Sequence, residues 1–319
     1  MTNRQPSANG VRDAAKRIVG EVVETPLLPL DWRGRRFWVK AECLQPGGAF
    51  KLRGATNRLK QLGESERSRG VVAFSSGNHA QGVALAARRF GIAATIVMPA
   101  DAPAVKVDAT RAAGAEIVFY DRATESREAI GARLAAEKGA TLVPSFDDVD
   151  VIEGQGSVGV EIAARLGARP PMVIVPCGGG GLAAGIALAL PDSEIVVAEP
   201  EGWDDMTRSL ALGHIVPVAE PAPPTLCDAL QTKLVSPMTF GALRDAAARG
   251  VAVSEEAVAE AMRFAFSALR IVAEPGGAVA LAALLSGKVD APDGSVVVVS
   301  GGNVDPALFA RILRHDRES

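Results

Sequence analysis

From residue 71 onward the chain runs three times through one pattern, a short apolar stretch followed by an amphipathic one: 71–75 then 79–90, 94–98 then 105–113, and 116–120 then 124–138. The short stretches suit buried strands and the longer ones have helical spacing. Strand and helix in strict alternation predict parallel α/β structure, because a parallel pair of strands needs a crossover and a helix supplies it. The pattern continues with strands at 37–41, 172–176, 195–198 and 296–299. Helices are expected within 11–30, carried by Ala14, Ala15, Ile18 and Val22, from Lys51 to Leu62, and over 152–166, 254–269 and 278–285. The predicted organisation is a smaller unit over 69–145 inserted into a larger one formed by 1–68 and 146–319.

Composition removes several classes of function. With 48% hydrophobic and 22% charged residues the chain is globular, and a net charge of −3 gives no general attraction to nucleic acid or acidic membranes. The apolar run at 182–190 falls far short of the ~20 residues a membrane helix needs. Cys43, Cys177 and Cys227 are widely spaced, with no metal-like pairing, and residues 1–10 are polar without a secretory core. A reduced cytoplasm and a small-molecule ligand are expected.

Glycine-bearing loops at strand-to-helix junctions carry the chemistry. In Gly47-Gly48-Ala49-Phe50-Lys51, the lysine opens a helix just after a glycine turn. The helix dipole and desolvation both oppose a cation there and favour the neutral amine that a carbonyl-trapping lysine needs. Alone, it would read as a solvated lysine. Ser75-Ser76-Gly77-Asn78-His79 gathers backbone N–H groups and two hydroxyls at a strand end, which suits a carboxylate, although a plain N-cap has the same look. Gly178 to Gly181, ahead of Leu182, can wrap a phosphate at a helix N-terminus. The same loop admits a dinucleotide reading, since Gly178, Gly180 and Ala183 fit G-x-G-x-x-G/A and Glu199 falls about 20 residues on. That reading leaves the Lys51, Asn78 and Ser300 stretches idle, whereas a phosphate carrying an aldehyde-bearing ring uses them all.

Taken together, Ala49 to Ala55, Ser75-Ser76-Gly77-Asn78-His79-Ala80-Gln81-Gly82, Gly178 to Leu182, Glu274-Pro275-Gly276-Gly277-Ala278 and Ser300-Gly301-Gly302-Asn303 resemble the fold-type II pyridoxal-phosphate enzymes. The group is that of threonine/serine dehydratase (ammonia-lyase) and serine racemase, and the resemblance spans nearly the whole chain. It implies a tryptophan synthase β-like fold of two parallel α/β domains with the cofactor in the cleft, and a homodimer. It further implies that Lys51 forms the internal aldimine, Phe50 packs on the pyridine ring and Asn78 bonds the ring hydroxyl. Gly178, Gly179, Gly180, Gly181 and Leu182 would hold the phosphate, and Ser300 would face the pyridine nitrogen. Ser75, Ser76, Gly77, Asn78 and His79 would take the substrate carboxylate. Ala49 departs from the family's usual serine.

The implied reaction is β-elimination from L-threonine or L-serine, giving 2-oxobutyrate or pyruvate and ammonia, with the freed Lys51 removing the α-proton. Serine racemisation is the near rival, because Ser76 matches the position that protonates the face opposite the lysine in racemases. L-threo-3-hydroxyaspartate dehydration is the other, and a silent ligand-binding protein is a distant third. Arg127 matches a substrate-proximal position in such relatives, against a plain reading as a charged helix face. Glu199, the Trp203 carbonyl and Asp205 match a divalent-cation site of relatives, and a turn rich in hard oxygens suits Mg²⁺ or Ca²⁺. The competing reading makes Asp204 or Asp205 a helix cap. The chain ends 16 residues after Asn303, so no appended regulatory domain and no feedback by isoleucine are expected.

Overall fold

The computed structural model describes residues 4–75, 77–102 and 104–314. Its strands are β1 (Leu27–Trp32), β2 (Arg35–Ala41), β3 (Val71–Phe74), β4 (Ala94–Pro99), β5 (Glu116–Tyr120), β6 (Thr141–Leu142), β7 (Met172–Pro176), β8 (Glu194–Pro200), β9 (Arg249–Val253) and β10 (Val296–Val299). A six-stranded sheet runs β1-β2-β10-β7-β8-β9 and a four-stranded sheet β5-β4-β3-β6. Only β1 pairs antiparallel, with β2; the other pairings are parallel.

The larger sheet is buried on both faces, which is why its central strands read as unbroken apolar runs. Side chains alternate between two clusters: Ile174, Val196, Ala198, Val297 and Val299 face one way, and Val173, Val175, Val197, Val296 and Val298 the other. The helix Pro275–Leu285 covers the first face and Gly181–Ala189 the second, each lined by small residues that let it lie close to the strands. In the smaller sheet, Val71, Ala73, Ile96 and Met98 pack on Leu52, Ala55 and Leu59 of the helix Lys51–Lys60 and on Ala80, Val83 and Ala84 of the helix Asn78–Phe90. The helix that Lys51 opens is therefore fixed against the smaller sheet while the residue before it stays joined to the larger one, where Phe50 N–H donates to the Ser300 carbonyl at 3.1 Å.

One expected helix is cut short. The first helix spans Ala8–Arg17, capped by Ser7, whose side chain accepts from Gly10 N–H. It stops because Gly20 turns the backbone to φ +79° and Val22 bridges back to Val19, so Val22 lies outside the helix. The expected 124–138 helix starts at Arg127 behind a Ser126 cap. Elements not expected from sequence include β1, β6, β9 and the helices Glu64–Arg69, Pro237–Asp245 and Pro306–Leu313.

Candidate active site

Three neighbouring strands of the larger sheet and one of the smaller release their loops at the same end. Beyond β2 come Phe50 and Lys51, beyond β10 Ser300, beyond β7 the Gly178–Gly181 run, and beyond β3 Ser75, Gly77, Asn78 and His79; these residues line one cavity of about 560 Å³. Ligand sites of parallel sheets lie outside the carboxyl ends of their strands for this reason.

Lys51 Nζ donates to the Ser145 carbonyl at 2.8 Å and lies 5.1 Å from the centroid of the Phe50 ring. Among the described residues no carboxylate is paired with it. Burial, uncompensated by a counter-ion, pulls its pKa down to about 8, so the neutral nucleophilic amine, though the minor form near neutrality, is far more populated than in a solvated lysine.

The glycine run has the form an anion cradle needs. Gly180, at φ +85°, caps the helix Gly181–Ala189 with no side-chain hydrogen bond, leaving first-turn N–H groups for a ligand. A Cβ placed on Gly179 would come within 2.2 Å of the Phe146 ring, so only glycine fits there. The helix Asn78–Phe90 likewise begins without a side-chain cap at Gly77.

Asn78 is held from both ends of its amide. Its Nδ2 donates to Glu274 Oε1, and its Oδ1 accepts from Asn303 Nδ2 at 2.8 Å, while Asn303 Nδ2 also donates to the Gly47 carbonyl at 2.7 Å. One Nδ2 hydrogen of Asn78 is left for a ligand. Glu274 is raised to about 7, by burial first and then by the nearby Asp228 charge. His79 Nε2 lies 2.8 Å from the Val143 carbonyl, and a carbonyl only accepts, so the proton sits on Nε2. Burial and the Lys51 charge hold its pKa at about 3, making it a neutral wall of the site.

Arg127 lines the cavity, with its guanidinium over Phe74 at 5.8 Å and paired with Glu128 at 2.8 Å. Ser76 lies outside the described residues. Sequence reasoning passed over Glu274, Asn303, Lys106 and Asp228 as site residues. The first two stood inside recognised motifs, whereas the others carry no local signal.

The carboxylates after β8 lie away from the cavity. Glu199, fully buried at the end of β8, accepts from Met206 N–H at 3.2 Å and from Thr207 N–H at 2.7 Å. Its carboxylate is taken up by the first turn of the helix Asp205–Leu212 and does not line the cavity, which leaves the dinucleotide reading without its acid there. Asp204 occupies the N-cap position without a side-chain cap bond, and both carboxylate oxygens of the buried Asp205 lack a hydrogen-bond partner. The unpartnered oxygens of Asp205, with the buried Glu199 near it, are hard ligands of the kind a divalent cation takes. Among the described residues no three His, Cys, Asp or Glu side chains cluster to hold a metal by themselves, so such a site must draw on carbonyls.

A buried lysine, a glycine-capped helix N-terminus without a side-chain bond and an aromatic ring thus share one cavity at the strand ends of the two sheets. The family profile described as "Pyridoxal-phosphate dependent enzyme" matches residues 18–301, and the chain belongs to this family as a fold-type II member of the group that includes ammonia-lyases and serine racemases. It is 44% identical over 317 residues to the L-threo-3-hydroxyaspartate ammonia-lyase of Pseudomonas sp, covering 97% of this chain and 98% of that one. Maize serine racemase superposes with a TM-score of 0.91 at 36% identity, covering 98% of each chain. The T.th. threonine deaminase gives a TM-score of 0.86 at 41% identity, covering 94% of this chain and 99% of that one. The residues of the cavity fit pyridoxal phosphate: an uncapped helix N-terminus for its phosphate, an amine for its aldehyde and a free amide hydrogen on Asn78 for its hydroxyl.

Proposed function

We propose that the chain eliminates water from a 2-amino-3-hydroxy acid and releases ammonia and a 2-oxo acid, with L-threonine and L-serine as the substrates read from sequence. The observation that carries this is Lys51, an amine whose pKa burial lowers to about 8, at the wall of a cavity that also holds the uncapped glycine loop. Pyridoxal phosphate, when bound, supplies the carbonyl that captures the substrate amine and the ring that withdraws electrons from its α-carbon. Lys51 anchors it and then takes the α-proton at Nζ. Gly178, Gly179, Gly180, Gly181 and Leu182 hold its phosphate, Phe50 its ring, Asn78 its hydroxyl and Ser300 its nitrogen. Ser75, Gly77 and His79 orient the substrate carboxylate. The hydroxyl of Ser300, unlike a carboxylate, would bring no negative charge to hold a proton on the ring nitrogen.

Incubation with L-threonine, L-serine and L-threo-3-hydroxyaspartate, assayed for oxo acid, ammonia and D-isomer, tests this. Oxo acid and ammonia in equal amounts are expected. The similarity to maize serine racemase favours one second reading, racemisation of serine with Ser76 as the proton carrier, and D-serine in excess of pyruvate would establish it. The proposed units are 1–68 with 146–319, and 69–145. A homodimer goes with the family, and three free thiols favour the cytoplasm; no helix among the described residues is long and apolar enough to cross a membrane.

Glu199, the Trp203 carbonyl and Asp205 are proposed to hold Mg²⁺ or Ca²⁺, which would neutralise the buried carboxyls next to the phosphate-loop unit. A cation bound only by the folded form stabilises it. Chelation is therefore expected to lower the melting temperature and activity together, with either ion restoring both. An unchanged melting curve after verified metal removal would contradict the site.

A further inference from the structure

Lys106, on the helix Ala104–Ala112, forms an ion pair with Asp228 of the 3-10 turn Asp228–Leu230, and both line the cavity. The two residues stand 122 positions apart in sequence. Lys106 follows β4 of the smaller sheet, whereas the turn packs through Leu230 into the core of the larger one. Their solvation is unequal: the Lys106 side chain is 12% exposed and that of Asp228 49%. A cation largely withdrawn from water needs an anionic partner, while a half-exposed carboxylate returns to water at small cost. The partner of Lys106 is thus exchangeable, and a carboxylate carried in by a ligand can take it over from Asp228.

The other cations of the cavity are less suited to this. Arg127 is engaged by Glu128 and Phe74, Lys233 is paired with Glu220 and 76% exposed, and Lys51 is committed to the chemistry. We propose that Lys106 recognises a second, side-chain carboxylate of the substrate, with Asp228 standing in for that carboxylate when the site is empty. This rests on the elimination proposed above and narrows its substrate class to 2-amino-3-hydroxy dicarboxylic acids. The side chains of serine and threonine carry no charge, leave the Lys106–Asp228 pair intact and gain nothing from it.

The test is the ratio of kcat/KM for L-threo-3-hydroxyaspartate to that for L-serine in the holoenzyme, read for the wild type and for Lys106→Met, Lys106→Arg and Asp228→Asn. Removing a charge-assisted hydrogen bond that only the dicarboxylate makes should lower the ratio about 10–100-fold in Lys106→Met, through KM. Lys106→Arg should restore part of it, and Asp228→Asn should raise it by removing the internal competitor. L-aspartate, which has the second carboxylate but no leaving hydroxyl, should lose inhibitory potency relative to L-alanine by a similar factor in Lys106→Met. A ratio unmoved by Lys106→Met, or lowered by Asp228→Asn, would overturn the assignment. So would a wild type that forms oxo acid from serine or threonine while neither converting the dicarboxylate nor being inhibited by L-aspartate, and the elimination would then still stand. No oxo acid from any of the three substrates would instead contradict the elimination itself.

Discussion

Replacing Lys51 with alanine is expected to lower turnover by about 10³-fold or more while the chain still folds, because one side chain supplies both the cofactor anchor and the base. General-base catalysis alone contributes about 10²–10⁴-fold. The fold should survive for a physical reason: burial disfavours the Lys51 ammonium, which is why its pKa falls to about 8, and the site has no carboxylate that its loss would strand. The lost hydrogen bond to the Ser145 carbonyl is offset by water entering the cavity. The same depressed pKa fixes the sign of the pH dependence, since the neutral amine grows as pH rises through about 8, so activity should climb on that limb. Circular dichroism and a melting curve check the fold, and oxo acid release checks activity. A variant that keeps more than a tenth of wild-type turnover would mean that another group is the base.

Arg53→Met is expected to destabilise the protein by about 3–5 kcal/mol, the cost of stranding a buried charge. Arg53 sits two residues after Lys51 on the same helix and is wholly buried. Its guanidinium donates to Glu42 through Nε at 2.7 Å and Nη2 at 2.8 Å, and to Glu161 through Nη1 at 2.5 Å and Nη2 at 2.8 Å. Lys40 Nζ completes the cluster, donating to Glu161 and to the Thr25 carbonyl at 2.8 Å, so two cations meet two carboxylates. Burial pushes Glu42 up, but Arg53 outweighs it and holds the carboxyl below its ordinary value. Stability from that depression is present above the unfolded pKa of about 4.3 and is lost as pH falls through the folded value. Without Arg53, Lys40 and the Thr25 hydroxyl still lower Glu42, but burial, the largest influence, loses its main counterweight and favours the neutral form. The gap between variant and wild type should therefore narrow as acid protonates Glu42. Urea unfolding at several pH values measures this, with Glu42→Gln in the Arg53→Met background expected to recover part of the loss. A deficit under about 1 kcal/mol at neutral pH would show that the cluster adds nothing net.

What could be read from sequence was whatever local pattern encodes. Buried parallel strands such as β7 and β10 are unbroken apolar runs, and Lys51 and Gly178–Gly181 sit at junctions marked by glycine. β9 was missed because Arg249 and Gly250 open it and its partner β8 lies about 50 residues away in sequence. The helices Pro237–Asp245 and Pro306–Leu313 did carry a signal, a Ser236 or Asp305 cap followed by proline at the first helical position. The overlong first helix came from counting Val22 by spacing alone, without weighing Gly20 as a stop. Within the site, residues supplied by glycine loops were legible. The Lys106–Asp228 pair and the Asn303–Asn78–Glu274 chain depend on tertiary approach, which no local pattern encodes.

Borohydride reduction of the purified protein followed by peptide mapping tests the central claim most directly, because it fixes the cofactor to the lysine that carries it. A yellow protein is expected to bleach and yield one pyridoxyl-labelled peptide, modified at Lys51. Label on another lysine, or a colourless protein that binds nicotinamide dinucleotide tightly, would contradict it.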